Sequence, residues 1–195
     1  PLAILPASAG SQIGPVPTPV DPNGGLYRHW VPGDPLRALA GPTFIQNADV
    51  IFRFTQDQDW LRQQIASVNL AADFLASLMT PEGAVQGAGY YVERPTRVEY
   101  DGVAQCHAVD AFRRMADLNR VVGDAAAAAR YRGLADQVEK HFQARFWLGD
   151  RFAEYIHPER GAITAHGLTD TDWAAIATGI ATPAPARPAA RTEAG

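Results

Sequence analysis

Carboxylates and aromatic rings crowd two stretches of this chain. Residues 80–101 carry Glu82, Glu93, Glu99 and Asp101 beside Tyr90, Tyr91 and Tyr100. Residues 148–172 carry Glu154, Tyr155, His157, Glu159, His166, Asp170 and Asp172, with Trp173 just beyond. Paired carboxylates can do acid and base work, one giving a proton while the other takes one. Rings beside them suit sugars, whose C–H faces stack on a ring while the hydroxyls seek charged acceptors. A loop of about 20 residues in a compact domain usually has a task.

Other chemistries find little footing. The five histidines stand at positions 29, 107, 141, 157 and 166, without a His-Glu-x-x-His or paired-cysteine spacing, so no metal is expected. Gly87-Ala88-Gly89 lacks the third glycine and the preceding strand of a dinucleotide fingerprint, and no cofactor is expected. The single cysteine, Cys106, lies inside a predicted helix between Ala104 and Ala108, where an inert buried thiol is expected. A net charge of -4, spread without a basic stripe, argues against nucleic acid as a partner.

The elements that must hold these loops are helices. Phe44, Ile45, Ala48, Ile51 and Phe52 make one apolar stripe, opened by Gly41-Pro42 and ending near Thr55. Asp57 fits an N-cap for the next helix, where Leu61, Ile65, Val68, Ala72, Leu75 and Met79 form one face and Leu70, Phe74 and Leu78 a second, up to a stop at Pro81. A third helix starts near Asp101-Gly102 with small residues on its face, and a fourth follows Asp124 and closes at Phe146-Trp147. A fifth follows Thr169, with Asp172 as its capping-box partner. Arg53 and Arg120 precede the two tight turns, and Asp57 and Asp124 follow them, so both markers recur at a spacing of 67 residues. Two helices and a long loop, written twice, signify an array of stacked hairpins.

The ends differ from the middle. Eight of the 15 prolines fall within residues 1–35 and three more within 183–188. Residues 1–41 are therefore expected as an extended segment, 42–181 as the folded helical domain, and 182–195 as a disordered tail. No apolar run approaches the length that spans a bilayer, and no basic-then-apolar signal opens the chain, so no membrane partner is expected. The lone cysteine fits a reducing compartment, and a cytoplasmic location is expected, although the first residue is proline and the true N-terminus can lie upstream.

The order of motifs is familiar: Tyr100-Asp101-Gly102-Val103-Ala104-Gln105-Cys106, then Ala111-Phe112-Arg113-Arg114-Met115-Ala116-Asp117-Leu118, then Val122-Gly123-Asp124, then Phe146-Trp147, then His166-Gly167-Leu168-Thr169-Asp170-Thr171-Asp172-Trp173. In these runs the chain resembles the catalytic domain of bacterial six-hairpin glycosidases, nearest to the α-L-rhamnosidase-like and glycogen-debranching-like members, over about residues 42–181. The hairpin pattern also recurs in α/α-toroid sugar isomerases and lyases. The resemblance implies an all-α fold, part of an (α/α)6 toroid, and a hydrolase that cleaves an α-linked sugar, its carbohydrate substrate, at loops on one mouth of the ring, usually with inversion. The sequence holds two complete hairpins and part of a third, so a closed ring cannot form from it alone. Inactivity in isolation is expected, and so are exposed hairpin faces open to self-association.

Inverting hydrolysis needs a carboxyl and a carboxylate about 6.5–9.5 Å apart. Glu93 and Asp101 are the preferred pair, with Tyr91, Glu99, Tyr100, Tyr155, His166 and Trp173 as substrate contacts. Plain alternatives stand beside each. Asp101 fits an N-cap, Glu93 can pair with Arg94 or Arg97 on the surface, and Trp173 keeps core-like spacing with Ile176 and Ile180. A non-catalytic helical-repeat module that binds a partner, or a toroid isomerase or lyase, are the competing functions. Only one lysine, Lys140, could serve a lyase as a lysine base.

Overall fold

A computed structural model describes residues 39–86, 100–164 and 169–181. The expected extended segment up to residue 38, the tail from 182, and the candidates Tyr91, Glu93, Glu99 and His166 lie outside the described residues.

The chain forms α1 (Ala40–Thr55), α2 (Gln58–Ser77), β1 (Tyr100–Asp101), α3 (Gly102–Val122), α4 (Ala125–Phe146), β2 (Tyr155–His157), β3 (Gly161–Ile163) and α5 (Asp170–Ala177). Helices dominate, as the periodicity and the all-α expectation require, beside one small sheet. β1, β2 and β3 make a small antiparallel sheet in that order. Its strands are two or three residues long, too short to carry a legible alternation of apolar and polar residues. Helix limits also shift slightly: α1 begins at Ala40, and α2 ends at Ser77, before Pro81.

The two tight turns share one backbone design. α1 ends on Gln56 at φ 54° and α3 on Gly123 at φ 89°, both left-handed, and each is followed by an aspartate that caps the next helix. Asp57 accepts the Trp60 N–H at 2.9 Å, and Asp124 accepts the Ala127 N–H at 2.9 Å. Gln56 and Gly123 stand 67 residues apart, so the spacing read from the sequence is a repeat of geometry as well as of residue type. Glycine at 123 adopts the left-handed cap without the Cβ penalty that Gln56 bears.

Contacts between helices fix their directions. Gln46 meets His107 and Asp110, and Asp49 meets Arg114, so numbers rise together and α1 lies parallel to α3. Gly102 lies against Thr171, and Arg113 donates to the Thr178 carbonyl at 3.3 Å, so α5 is parallel to α3 as well. Behind this row, Asp73 pairs with Arg130 while Glu82 and Pro81 meet His141 and Gln137, which makes α2 parallel to α4. Successive hairpins are thus laid down in one sense, as a circular array demands. The N-terminal ends of α1, α3 and α5 share one end of the row, and the segments that lead into α3 and α5 emerge there. The tight turns sit at the other end.

The core lies around α3. Ala104, Ala108, Ala111, Phe112, Met115 and Leu118 are buried there, and small side chains let the neighbours approach. Phe112 stacks on Tyr131 of α4 at 6.3 Å, and Tyr131 hydroxyl donates to Asp73 of α2 at 2.9 Å, so one side chain ties both hairpins. Asn69 and the buried Asn119 exchange amide hydrogen bonds across α2 and α3.

α5 overturns two sequence readings. Thr169 makes no side-chain cap bond. Asp172 instead turns to the preceding loop and accepts the Phe152 N–H at 2.8 Å, because that loop lies close enough to supply a stronger claim than the helix terminus. Trp173 is also no core residue: it is 69% exposed and Ile176 64% exposed, while Ala174 and Ala175 face inward. Phe54, at the turn end of α1, is 87% exposed. Among the described residues no helix is long and apolar enough to cross a membrane.

Candidate functional site

The loop end of the helix row is assembled from three directions. On the first side, α2 leads into a turn at Thr80–Val85, closed by Met79 bridging to Val85 and by the Thr80 N–H donating to the Ala84 carbonyl at 2.8 Å. Gln105, wholly buried in α3, holds that turn. Its Oε1 accepts the Val85 N–H at 2.7 Å, and its Nε2 donates to the Val85 carbonyl at 2.8 Å and the Asp101 carbonyl at 3.1 Å. A single amide therefore satisfies both backbone groups of Val85, which burial would otherwise leave unpaired, and adds a bond to the Asp101 carbonyl.

On the second side, an aromatic cluster brings the next loop back. Phe142 lies 5.0 Å from Phe146 and 4.7 Å from Phe152, Trp147 bridges to Phe152, and the Ala153 N–H donates to the Phe146 carbonyl at 2.8 Å. The chain leaves this cluster as β2 and pairs with β1, with Tyr100 opposite Ile156 and Asp101 opposite Tyr155. The Gly102 N–H donates to the Glu154 carbonyl at 2.8 Å, which continues the ladder into the first turn of α3. On the third side, Thr171 of α5 covers Gly102, its hydroxyl 3.5 Å from the same Glu154 carbonyl.

The sequence candidates can now be located. Tyr100, Asp101 and Tyr155 come together on adjacent strands, so the two carboxylate-rich stretches meet at one place. Asp101 is buried, and its Oδ1 accepts the Ala104 N–H at 2.8 Å as the N-cap of α3. Glu154, with no exposed surface to speak of, lies beside it along the ladder. Trp173 stands exposed one turn along α5 from the same end. Cys106 is fully buried, and burial first, then the negative charge of Asp101, push its thiol far above the ordinary range, so it has no thiolate character.

A polar network that sequence reasoning did not foresee joins α1 to α3 along their length. Gln46 of α1 donates from Nε2 to Asp110 at 2.8 Å and stands 3.1 Å from His107 Nδ1. Asp110 also accepts from Arg114 at 2.8 Å, and Arg114 reaches on to the buried Asp49, which Arg53 completes at 2.7 Å. The i, i+4 pairs Asp49–Arg53 and Asp110–Arg114 were visible as spacings, but their meeting across 61 to 65 residues was not. Burial lowers the His107 pKa, against the opposing pull of Asp110. His157 serves a local turn, its Nδ1 accepting the Glu159 N–H at 3.1 Å. No three metal-ligating side chains gather among the described residues.

The family model for the bacterial alpha-L-rhamnosidase six-hairpin glycosidase domain matches residues 20–193. Among 23 matching solved chains is a GH78 family rhamnosidase of Bacillus sp. GL1, with a TM-score of 0.65 at 15% sequence identity. That likeness covers 75% of this chain and 16% of that one, and it shows the fold. No curated protein matches.

Proposed function

The chain belongs to the bacterial alpha-L-rhamnosidase six-hairpin glycosidase domain family, and from that premise we propose that it is a portion of a glycoside hydrolase catalytic domain that cleaves an α-linked sugar with inversion. Glu93 and Asp101 serve as the acid and base pair. Tyr91, Glu99, Tyr100, Tyr155, His166 and Trp173 contact the sugar. The observation that carries this reading is the pairing of β1 with β2, which draws both carboxylate-rich stretches to the end of the helix row from which the long loops leave. The opposite end carries tight turns at Gln56–Asp57 and Gly123–Asp124 in place of long loops, with the aspartates engaged as helix caps. Membership in a glycosidase family sets this reading ahead of a bare repeat module and of an isomerase or lyase.

In this reading a protonated carboxyl gives its proton to the departing glycosidic oxygen, while a carboxylate on the opposite face of the sugar ring takes a proton from the attacking water. The tyrosines and Trp173 hold the sugar ring between them. The five helices among the described residues are too few to close a ring of six hairpins, and in this reading the chain alone does not turn over substrate. Trp173 and Ile176 mark the face of α5 that the next helix covers.

The test is hydrolysis of an aryl α-L-rhamnoside, followed by colour release and by the anomeric configuration of the first-formed sugar. The account expects none from residues 1–195 alone, and inverted product from an intact polypeptide that carries them with the other hairpins. Retained configuration in the intact protein would remove the inverting mechanism, and robust turnover by the isolated chain would remove the incompleteness.

A further inference from the structure

The Gln46–His107–Asp110 cluster has a chemical direction that follows from its hydrogen bonds alone. Asp110, held by Arg114, is a carboxylate and only accepts, so the Gln46 atom 2.8 Å from it must be the amide nitrogen. That same nitrogen stands 3.1 Å from His107 Nδ1. An amide NH2 has two hydrogens and no acceptor capacity, so one hydrogen goes to Asp110 and the other to Nδ1, which must present its lone pair. The imidazole is therefore neutral, with its proton on Nε2. The lowered pKa agrees, since burial outweighs the attraction of Asp110.

Among the described residues His107 Nε2–H has no hydrogen-bond partner, and the residue is partly buried. It lies five residues into α3, about 7.5 Å along the axis from Gly102. On α3 the partly open residues include a stripe through His107, Asp110, Arg114 and Asp117, with Arg113 beside it and the helix end at Arg120–Val122 also open, while the first turn from Gly102 to Cys106 is buried. His107 is the member of that stripe nearest the loop end. A donor whose tautomer a neighbouring amide fixes, on the part of α3 toward the loop end, is what a sugar hydroxyl needs in order to be read by orientation and not by charge.

We propose that His107 is a substrate-binding residue whose Nε2–H donates to a sugar hydroxyl, with Gln46 and Asp110 as the positioning residues that fix its tautomer. This rests on the glycoside hydrolase reading and adds a contact from the helix row itself to those on the loops. Gln46 supplies the direction, Asp110 holds Gln46, and Arg114 holds Asp110 in place.

The experiment uses the 195-residue chain, labelled for long-range proton–nitrogen correlation spectra of its histidine rings. Without sugar, His107 should show a protonated Nε2 and a bare Nδ1, and Gln46→Leu should release it into a mixture of tautomers. A protonated Nδ1 in the native chain would overturn the proposal. L-rhamnose is then titrated in as the probe, and the His107 Nε2 signal should move with saturation, with affinity about tenfold weaker in Gln46→Leu if one oriented bond of roughly 1.4 kcal/mol is lost. If the Trp173 and Tyr155 signals move while His107 stays still, the His107 assignment falls and the carbohydrate reading stands. If none of the three moves in an intact polypeptide that carries this chain with the other hairpins, both fall.

Discussion

Gly102 is where the helix row, the sheet and α5 press together, and replacing it by alanine gives a sharp test of that packing. A Cβ built there would sit 2.6 Å from Thr171 Cγ2, 2.7 Å from Thr171 Oγ1 and 3.0 Å from the Ala153 carbonyl oxygen. Alanine gains something in return, since glycine inside a helix costs roughly 0.5–1 kcal/mol relative to it. Overpacking a close-packed site costs about 1–3 kcal/mol, and here two of the three contacts are closer than real Cβ atoms adopt. The net expectation for Gly102→Ala is a loss of about 1–2 kcal/mol, which for a domain of this size lowers Tm by roughly 2–8 °C. Thr171→Ala removes both near atoms and leaves the Ala153 oxygen, so the double variant should recover most of the loss. A denaturant-melt cycle over the four proteins reads the coupling, expected at about 1 kcal/mol or more. If Gly102→Ala is as stable as the native chain, or if its cost is unchanged by Thr171→Ala, then α5 does not close on the start of α3 and the assembly of the loop end is wrong.

Other outcomes follow from the same structure. Gln105→Met keeps volume but orphans the Val85 N–H and carbonyl, at a cost of about 2–5 kcal/mol, and limited proteolysis should then cut within residues 80–86. Asp57→Ala and Asp124→Ala each remove one helix cap, about 1 kcal/mol apiece, and because the two turns are separate repeats their losses should add in urea melts. Burial lowers the pKa of both His107 and His141, so the folded chain binds fewer protons than the unfolded chain near their titration. Their stabilising contribution is whole above the unfolded value near pH 6.5 and is lost as pH falls below it, so the denaturation midpoint should drop between about pH 7 and 5, with His107→Phe flattening part of the drop.

Much of this fold can be read without coordinates, for physical reasons. Aspartates 57, 101 and 124 are legible as helix caps because capping is a local bond between a side chain and an amide three residues on. Arg53 and Arg120 before the turns and Asp57 and Asp124 after them make the repeat legible, because an aspartate cap and a basic last turn are local features of helix ends. What escaped was settled by contacts far along the chain. Asp172 is drawn from its expected cap by Phe152, 20 residues away, and Trp173 keeps core-like spacing on a face that no described helix covers. The three short strands exist because the Asp101 and Tyr155 backbones meet, and the pairing of Gln46 with His107 depends on α1 lying beside α3. Local sequence carries neither fact. Of the candidate site, Tyr100, Asp101 and Tyr155 could be named from their types, but their adjacency belongs to the register of β1 on β2.

The central claim is that the loop end of the hairpin row carries the hydrolytic carboxylates, and Asp101 allows charge to be separated from scaffold. Asparagine caps a helix about as well as aspartate, so Asp101→Asn should keep the Ala104 bond while removing the charge. Glu93→Gln is its counterpart on the preceding loop. The decisive measurement is kcat for an aryl α-L-rhamnoside in the intact polypeptide, for both variants, with thermal unfolding of each alongside. The account predicts a loss of about 10²–10⁴-fold in kcat for each with Tm nearly unchanged, as befits a general acid and a general base. Full activity in both variants, or losses that track a lowered Tm, would contradict it and leave Asp101 as the N-cap of α3 alone.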